Sequence, residues 1–220
     1  MATELLEARG PSLRPLGEKP GGPAGHGPTD DGGDGGGWDS TWDPARFGLW
    51  AFLGTVSMLF IGFTSAYIVR RASLDWRALP LPRLLWWNTA ALLLSSASLQ
   101  AARQRRRALD RRGLAGGLAA TGVLAVLFVL GQVQAWRVMA ARGFFMATNP
   151  HSSFFYMLSG VHLLHLGGGL VWFGAVLLRL HRWRLGAGGR AADRELSLFA
   201  TYWHFLALLW LYVLVLIFFF

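Results

Sequence analysis

The chain has 220 residues, 53% of them hydrophobic and 15% charged, with a formal net charge of +9 and no cysteine. The absent thiols exclude disulfides, thiolate metal sites and cysteine nucleophiles. Mean hydropathy is +0.37, and several stretches of roughly 20 residues carry no charge, which is the mark of membrane-spanning helices.

In chain order, residues 1–43 come first and are rich in Gly, Pro and acids (GEKPGGPAGHGPTDDGGDGGGW). Such a segment cannot bury enough apolar surface to offset ordering entropy, so a disordered tail is expected. It reads neither as a signal peptide, having no apolar core after a basic start, nor as a transit peptide, being acidic.

Residues 44–220 are expected to form an all-α, polytopic membrane bundle, since lipid forces the backbone to satisfy its own hydrogen bonds. Five spans are predicted, at about 46–69, 84–102, 114–138, 153–180 and 196–220. The link after the second span holds Arg103, Arg105, Arg106, Arg107, Arg111 and Arg112; the link after the fourth holds Arg182, Arg184, Arg190 and Arg194. Both fall on one side. The other side has Arg70, Arg71, Arg77 and Arg83 in one loop and only Arg137 and Arg142 in the next. This bias predicts a cytoplasmic N-terminus and an external C-terminus. Arginines gathered beside apolar runs are topological, so no nucleic-acid partner is expected. Trp76, Trp86, Trp87, Trp136 and Trp183 stand near span ends, as an aromatic belt would. No internal repeat supports an inverted-repeat transporter.

The five predicted spans contain no Asp or Glu. Membrane proton relays usually need such groups. The remaining interior polar residues are Asn88, Gln132, Gln134, His162, His165, His204 and some hydroxyls, Ser57 among them. Counting along the spans puts His162 roughly 15 Å from the outer face, near the midplane, and His165 roughly 20 Å from it, at a depth similar to that of His204, which lies roughly 10 Å from the inner face. Asn88, Gln132 and Gln134 fall nearer the outer face. Two polar clusters are therefore expected: an inner one of histidines and an outer one of amides. Each histidine can be a neutral ring bonded to a neighbouring helix. A heme held by His204 with His162 or His165 is the sharper alternative, without residues for a second heme. Ser159 lies three residues before His162, but no oxyanion motif accompanies it.

In the fourth span, Tyr156, Ser159, His162, His165, Gly169 and Trp172 recur at three- and four-residue steps and share a face. Gly160, Gly167, Gly168, Gly169 and Gly174 are expected to let helices approach closely, the main route to packing in lipid.

The run SSFFYMLSGVHLLHLGGGLVW resembles subunit III of the heme-copper oxidases, whose corresponding helix reads like FFYxLTGxHGLHVxxG. Four further stretches are similar in the same order: FGLWAFLGTVSMLFIGFTSAYIV, WWNTAALLLSSASLQAA, LFVLGQVQAWRVMAARG and TYWHFLALLWLYVLVLIF. The resemblance covers about residues 44–220 and implies the short, five-helix bacterial form.

It implies a chain without a redox centre or metal. Hemes and copper would belong to partner subunits, with the catalytic subunit I beside this chain and phospholipids bound to it. It implies a place in the bacterial plasma membrane, in a cytochrome c oxidase, where the chain steadies subunit I and supports proton uptake. Quinol oxidases and nitric oxide reductases with related accessory subunits stay open as alternatives. So do two other classes, a small transporter and a free-standing heme b protein. By position, His162, His165 and His204 match the family's interior histidines and Gln132 its third-helix glutamine. Two family acids are replaced, by Val56 and Ala207, so Ser57, Thr55 or a water would have to serve the histidines.

Overall fold

The structure, a computed structural model, describes residues 43–74, 76, 79–80, 82–147, 149–182 and 189–219. The expected tail, except Asp43, lies outside the described residues, as does Trp183 in the expected belt. All regular structure among the described residues is helical: α1 (Pro44–Arg71), α2 (Leu84–Arg107), α3 (Arg111–Ala141), α4 (Pro150–Arg182) and α5 (Gly189–Phe219).

The helix starts follow from local chemistry. Asp43 accepts from the Ala45 amide at 3.1 Å and Pro44 takes the first helical position, where its missing N–H costs nothing. Asp110 accepts from the Gly113 amide at 2.9 Å and starts α3. These caps carry the helices past the predicted spans into the flanking polar residues. At 24–33 residues, the helices reach roughly 36–50 Å, beyond a hydrocarbon core of about 30 Å.

Four of the five, α1, α3, α4 and α5, are long and apolar enough to cross a membrane; α2 is not among them. Its C-terminal part carries Gln100, Gln104 and four arginines, and its small polar residues face neighbouring helices. Ser95 donates to the Thr121 carbonyl at 3.0 Å and Ser98 to the Gly117 carbonyl at 2.8 Å, both on α3. Thr89 accepts from the Trp210 indole of α5 at 3.0 Å. These hydroxyls are spent inside the bundle, whereas Gln100, Gln104, Arg105 and Arg107 are exposed.

Helix α5 is central. It touches α1, α2 and α4, and α3 packs between α2 and α4. In its most apolar stretch 56% of residues are buried, against 22–28% for α1, α3 and α4. Trp203, Trp210 and Phe199 of α5 pack with Phe128, Phe155 and Phe60 to form the core. Outward faces are apolar as well, with Met58, Ile61, Leu130, Leu164 and Val171 exposed. A helix apolar all round fits a lipid surround.

Three consecutive residues at the start of α5 tie this end of the bundle together. Asp193 pairs with Arg106 of α2, Arg194 with Asp43 before α1, and Glu195 with Arg179 of α4. The described acids are Asp43, Asp110, Asp193 and Glu195, all at this end.

Candidate functional site

The interior polar groups are set by the rotation of each helix. His162 is fully buried, its ring 5.0 Å from that of Trp210 and 5.9 Å from that of Phe128. Neither ring nitrogen has a hydrogen-bond partner. One helical turn away on α3 from Phe128 stands Gln132, also fully buried and also unpartnered at both carboxamide atoms. One turn further, the Trp136 indole donates to Ser159 at 3.0 Å. Gln132 is thus framed by two residues that touch α4 at His162 and Ser159, and it faces the same seam. Tyr156 closes the seam by donating to the Phe144 carbonyl at 2.9 Å.

His165 turns elsewhere. Its Nδ1 lies 2.8 Å from the Val161 carbonyl one turn back, so Nδ1 carries the proton and donates. Its ring lies 6.2 Å from that of Phe52 and 6.4 Å from that of Phe60, both on α1. His204 points to α2, where its Nδ1 pairs with the Ser96 hydroxyl. The expected inner histidine cluster therefore does not form. The level is shared, since Tyr202 bonds the His165 carbonyl, but the rings leave α4 and α5 in different directions. The His165–His204 pair does not face one central group.

The hydroxyls expected to serve the histidines are engaged with their own helix. Ser57 donates to the Leu53 carbonyl at 2.8 Å and Thr55 to the Ala51 carbonyl at 3.0 Å, the usual return bond of a helical hydroxyl. Val56 and Ala207 are both buried and apolar.

The outer amides divide too. Gln134, two residues from Gln132 and on the other side of α3, is exposed and lines an open groove with Asn88. Asn88 lies over Gly131, where any Cβ would overlap its carboxamide.

Of the glycines, Gly169 is closely approached: a Cβ there would lie 3.0 Å from the Tyr202 ring and 3.2 Å from that of Trp203. Gly168 is exposed, and a Cβ on it would meet nothing within 4 Å; one on Gly160 would meet only Trp136, at 4.0 Å. The belt is likewise partial. Trp86 and Trp87 are exposed, but Trp136 turns inward to Ser159 and Trp76 stacks on His151 at 4.8 Å.

The seam that sequence reasoning misses is α2 against α5. Trp203 donates to Ser95 at 3.2 Å, His204 pairs with Ser96, and Trp210 donates to Thr89. Its signal is the hydroxyl run NTAALLLSSAS in a span otherwise apolar. The side chains named in these seams include no Asp, Glu, Lys or Arg, and among the described residues no three His, Asp or Glu side chains converge as a metal would need. These bonds order the helices against one another.

A sequence model of cytochrome c oxidase subunit III matches residues 43–220, the whole helical part. Individual proteins agree. Cytochrome c oxidase subunit 3 of Synechocystis is 27% identical over 181 residues, covering 80% of this chain and 76% of its own length. The probable cytochrome c oxidase subunit 3 of Mycobacterium tuberculosis is 28% identical, covering 78% of this chain and 86% of its own. Subunit 3 of the cytochrome bo(3) ubiquinol oxidase of Pseudomonas putida is 26% identical, covering 76% and 81%. This five-helix bundle, matched along its full described length, belongs to the cytochrome c oxidase subunit III family.

Proposed function

We propose that the chain is the redox-silent subunit III of a bacterial cytochrome c oxidase. It would sit beside the catalytic subunit, which carries the hemes and copper, and hold no cofactor of its own. The observation that carries this reading is the placement of charge. The described acids stand at one end of the bundle, and the buried histidines and amides are distributed among helix seams. A chain so built steadies a neighbour and supports its proton uptake from outside, without relaying protons across the membrane. The loop arginines favour a plasma-membrane topology with the N-terminus cytoplasmic and the C-terminus external. A quinol-oxidising complex is the second reading, because the Pseudomonas ubiquinol oxidase subunit is nearly as similar as the cytochrome c oxidase subunits.

The test is extraction of the tagged chain from native membranes in mild detergent. It should come out with a larger heme-bearing polypeptide, and the complex should consume oxygen with reduced cytochrome c faster than with quinol. The reverse donor preference would select the quinol oxidase. An isolated chain with its own stoichiometric Soret band would identify a heme b protein instead. An isolated chain that moves solute across liposomes would identify a transporter.

A further inference from the structure

The positive-inside pattern accounts for the number of arginines at the end of the bundle where α2 finishes and α5 begins. It does not account for their convergence on one hollow. Arg46 of α1, Arg103, Arg106 and Arg107 of α2 and Arg194 of α5 line a pocket of about 330 Å³ at this end. Two carboxylates share the lining, and both are taken: Asp193 pairs with Arg106 and Asp43 with Arg194. Arg46, Arg103 and Arg107 have no ion pair among the described residues.

Arg103 carries the argument. It is half-buried, and its guanidinium is held by two neutral oxygens, Gln100 Oε1 at 3.1 Å and the Ser197 hydroxyl at 3.1 Å. Withdrawing a cation from water without a counter-charge is costly. Arg107 stands one turn further along the same helix, where like charges repel. The pocket thus presents a fixed, partly desolvated guanidinium, a second beside it and a third from α1, with no acid to spare. Guanidinium forks pair with phosphate oxygens two at a time, so this constellation is complementary to a phosphate-type polyanion. The volume falls in the lower part of the small-molecule range, about 300–1,000 Å³. An acyl chain would find no bed here: the described lining is charged or polar except for Leu196, which is itself only 2% exposed.

We propose that this pocket binds a small soluble polyphosphate anion. Arg103 and Arg107 hold one phosphate group, and Arg46 pairs with the next. Ser197 keeps the Arg103 guanidinium in place, while Asp193 and Asp43 stay with Arg106 and Arg194. The site goes beyond the oxidase reading and does not rest on it.

The test treats the intact complex, in phosphatidylcholine nanodiscs, with phenylglyoxal, which attaches to accessible arginines. Modified residues are mapped by mass spectrometry with and without inorganic diphosphate. Diphosphate should protect Arg46 and Arg107 at a saturating concentration and leave Arg112 reactive; Arg112 is exposed and outside the pocket. Arg103→Gln should raise the concentration that half-protects Arg46 about tenfold, the size of one charge-assisted hydrogen bond. Arg107→Gln should do the same from an exposed position where folding is not at stake. Arg112→Gln, an equal change in net charge, should leave it unaltered. Equal protection of Arg112, or equal protection by sodium chloride at matched ionic strength, would overturn the proposal. Loss of the diphosphate effect when phosphatidylglycerol is added to the nanodiscs would assign the pocket to a lipid headgroup and overturn it as well. Because protection is read residue by residue in this chain and not through oxygen consumption, failure of the oxidase reading is seen separately.

Discussion

The Tyr202 hydroxyl of α5 donates to the His165 carbonyl of α4 at 2.8 Å. Gly169, one turn beyond His165, makes this approach possible. The Tyr202 and Trp203 rings lie against its bare Cα, in space that a larger residue would fill. The bond and the glycine act together: the missing side chain admits the tyrosine, and the tyrosine fixes the level of α5 against α4.

Gly169→Leu should therefore separate α4 from α5. Overpacking of a close seam costs typically about 1–3 kcal/mol, and Trp203 is too well buried to yield. Gly168→Ala is the matched control. It places a methyl in open space and replaces the poorest non-proline helix former with the best. Thermal unfolding of the purified complex should show a lowered midpoint for Gly169→Leu and an unchanged or raised one for Gly168→Ala. Equal effects would mean that the close approach at Gly169 contributes nothing.

Gly117→Ala should be costly although the change is a single methyl. A Cβ at Gly117 would lie 2.8 Å from the Ala102 Cβ and 3.1 Å from its Cα on α2. Backbone atoms cannot rotate away, so α2 and α3 must part, and the Ser98 bond to the Gly117 carbonyl stretches with them. About 1–3 kcal/mol of destabilisation is expected, against a gain of up to about 1 kcal/mol in helix propensity. Gly116→Ala, which meets nothing within 4 Å, should keep only the gain. Comparing the two unfolding midpoints checks this.

These two pairs show what is legible in the sequence. Helix number and order follow from apolar run length, and the ends differ from that reading where Asp43 and Asp110 cap the helices beyond the apolar stretch. Rotation about each axis is not legible. Gly167, Gly168 and Gly169 are alike in sequence, and only the position of α5 tells which one is crowded. The same holds for His165 and His204: one-dimensional counting gives their common level, while their directions depend on which helix lies beside them. Ser57 and Thr55 look free to serve the histidines because a hydroxyl at midplane can reach out, yet a helical hydroxyl has a carbonyl of its own within reach.

His165→Leu should impair assembly and leave oxygen chemistry alone. The His165 ring lies between Phe52 and Phe60 and links α4 to α1. Leucine keeps bulk but loses the Nδ1 bond and the flat ring edge. The yield of complex should fall, while turnover per heme in the assembled fraction stays at the wild-type level. A normal yield with changed turnover would place His165 in the reaction path instead.

The pair formed by Asp43 and Arg194 carries a pH dependence of definite sign. The hydrogen bond from Arg194 holds the Asp43 carboxyl below its ordinary value of 3.8. The folded value is thus lower than the unfolded one, so the pair stabilises the start of α1 above about pH 4 and loses that effect as pH falls through the folded value. Asp43→Asn removes the charge but keeps a good helix cap. Hydrogen exchange in the first turn of α1 should therefore be faster in Asp43→Asn at pH 7, and the difference should shrink as pH falls through the folded value. High salt should narrow the difference at pH 7, because the pair is exposed. Deletion of residues 1–40 leaves Asp43 in place, so that variant should assemble and exchange like the full chain. Loss of the complex on deletion would mean that the segment before Asp43 makes a contact that the Asp43–Arg194 pair cannot replace.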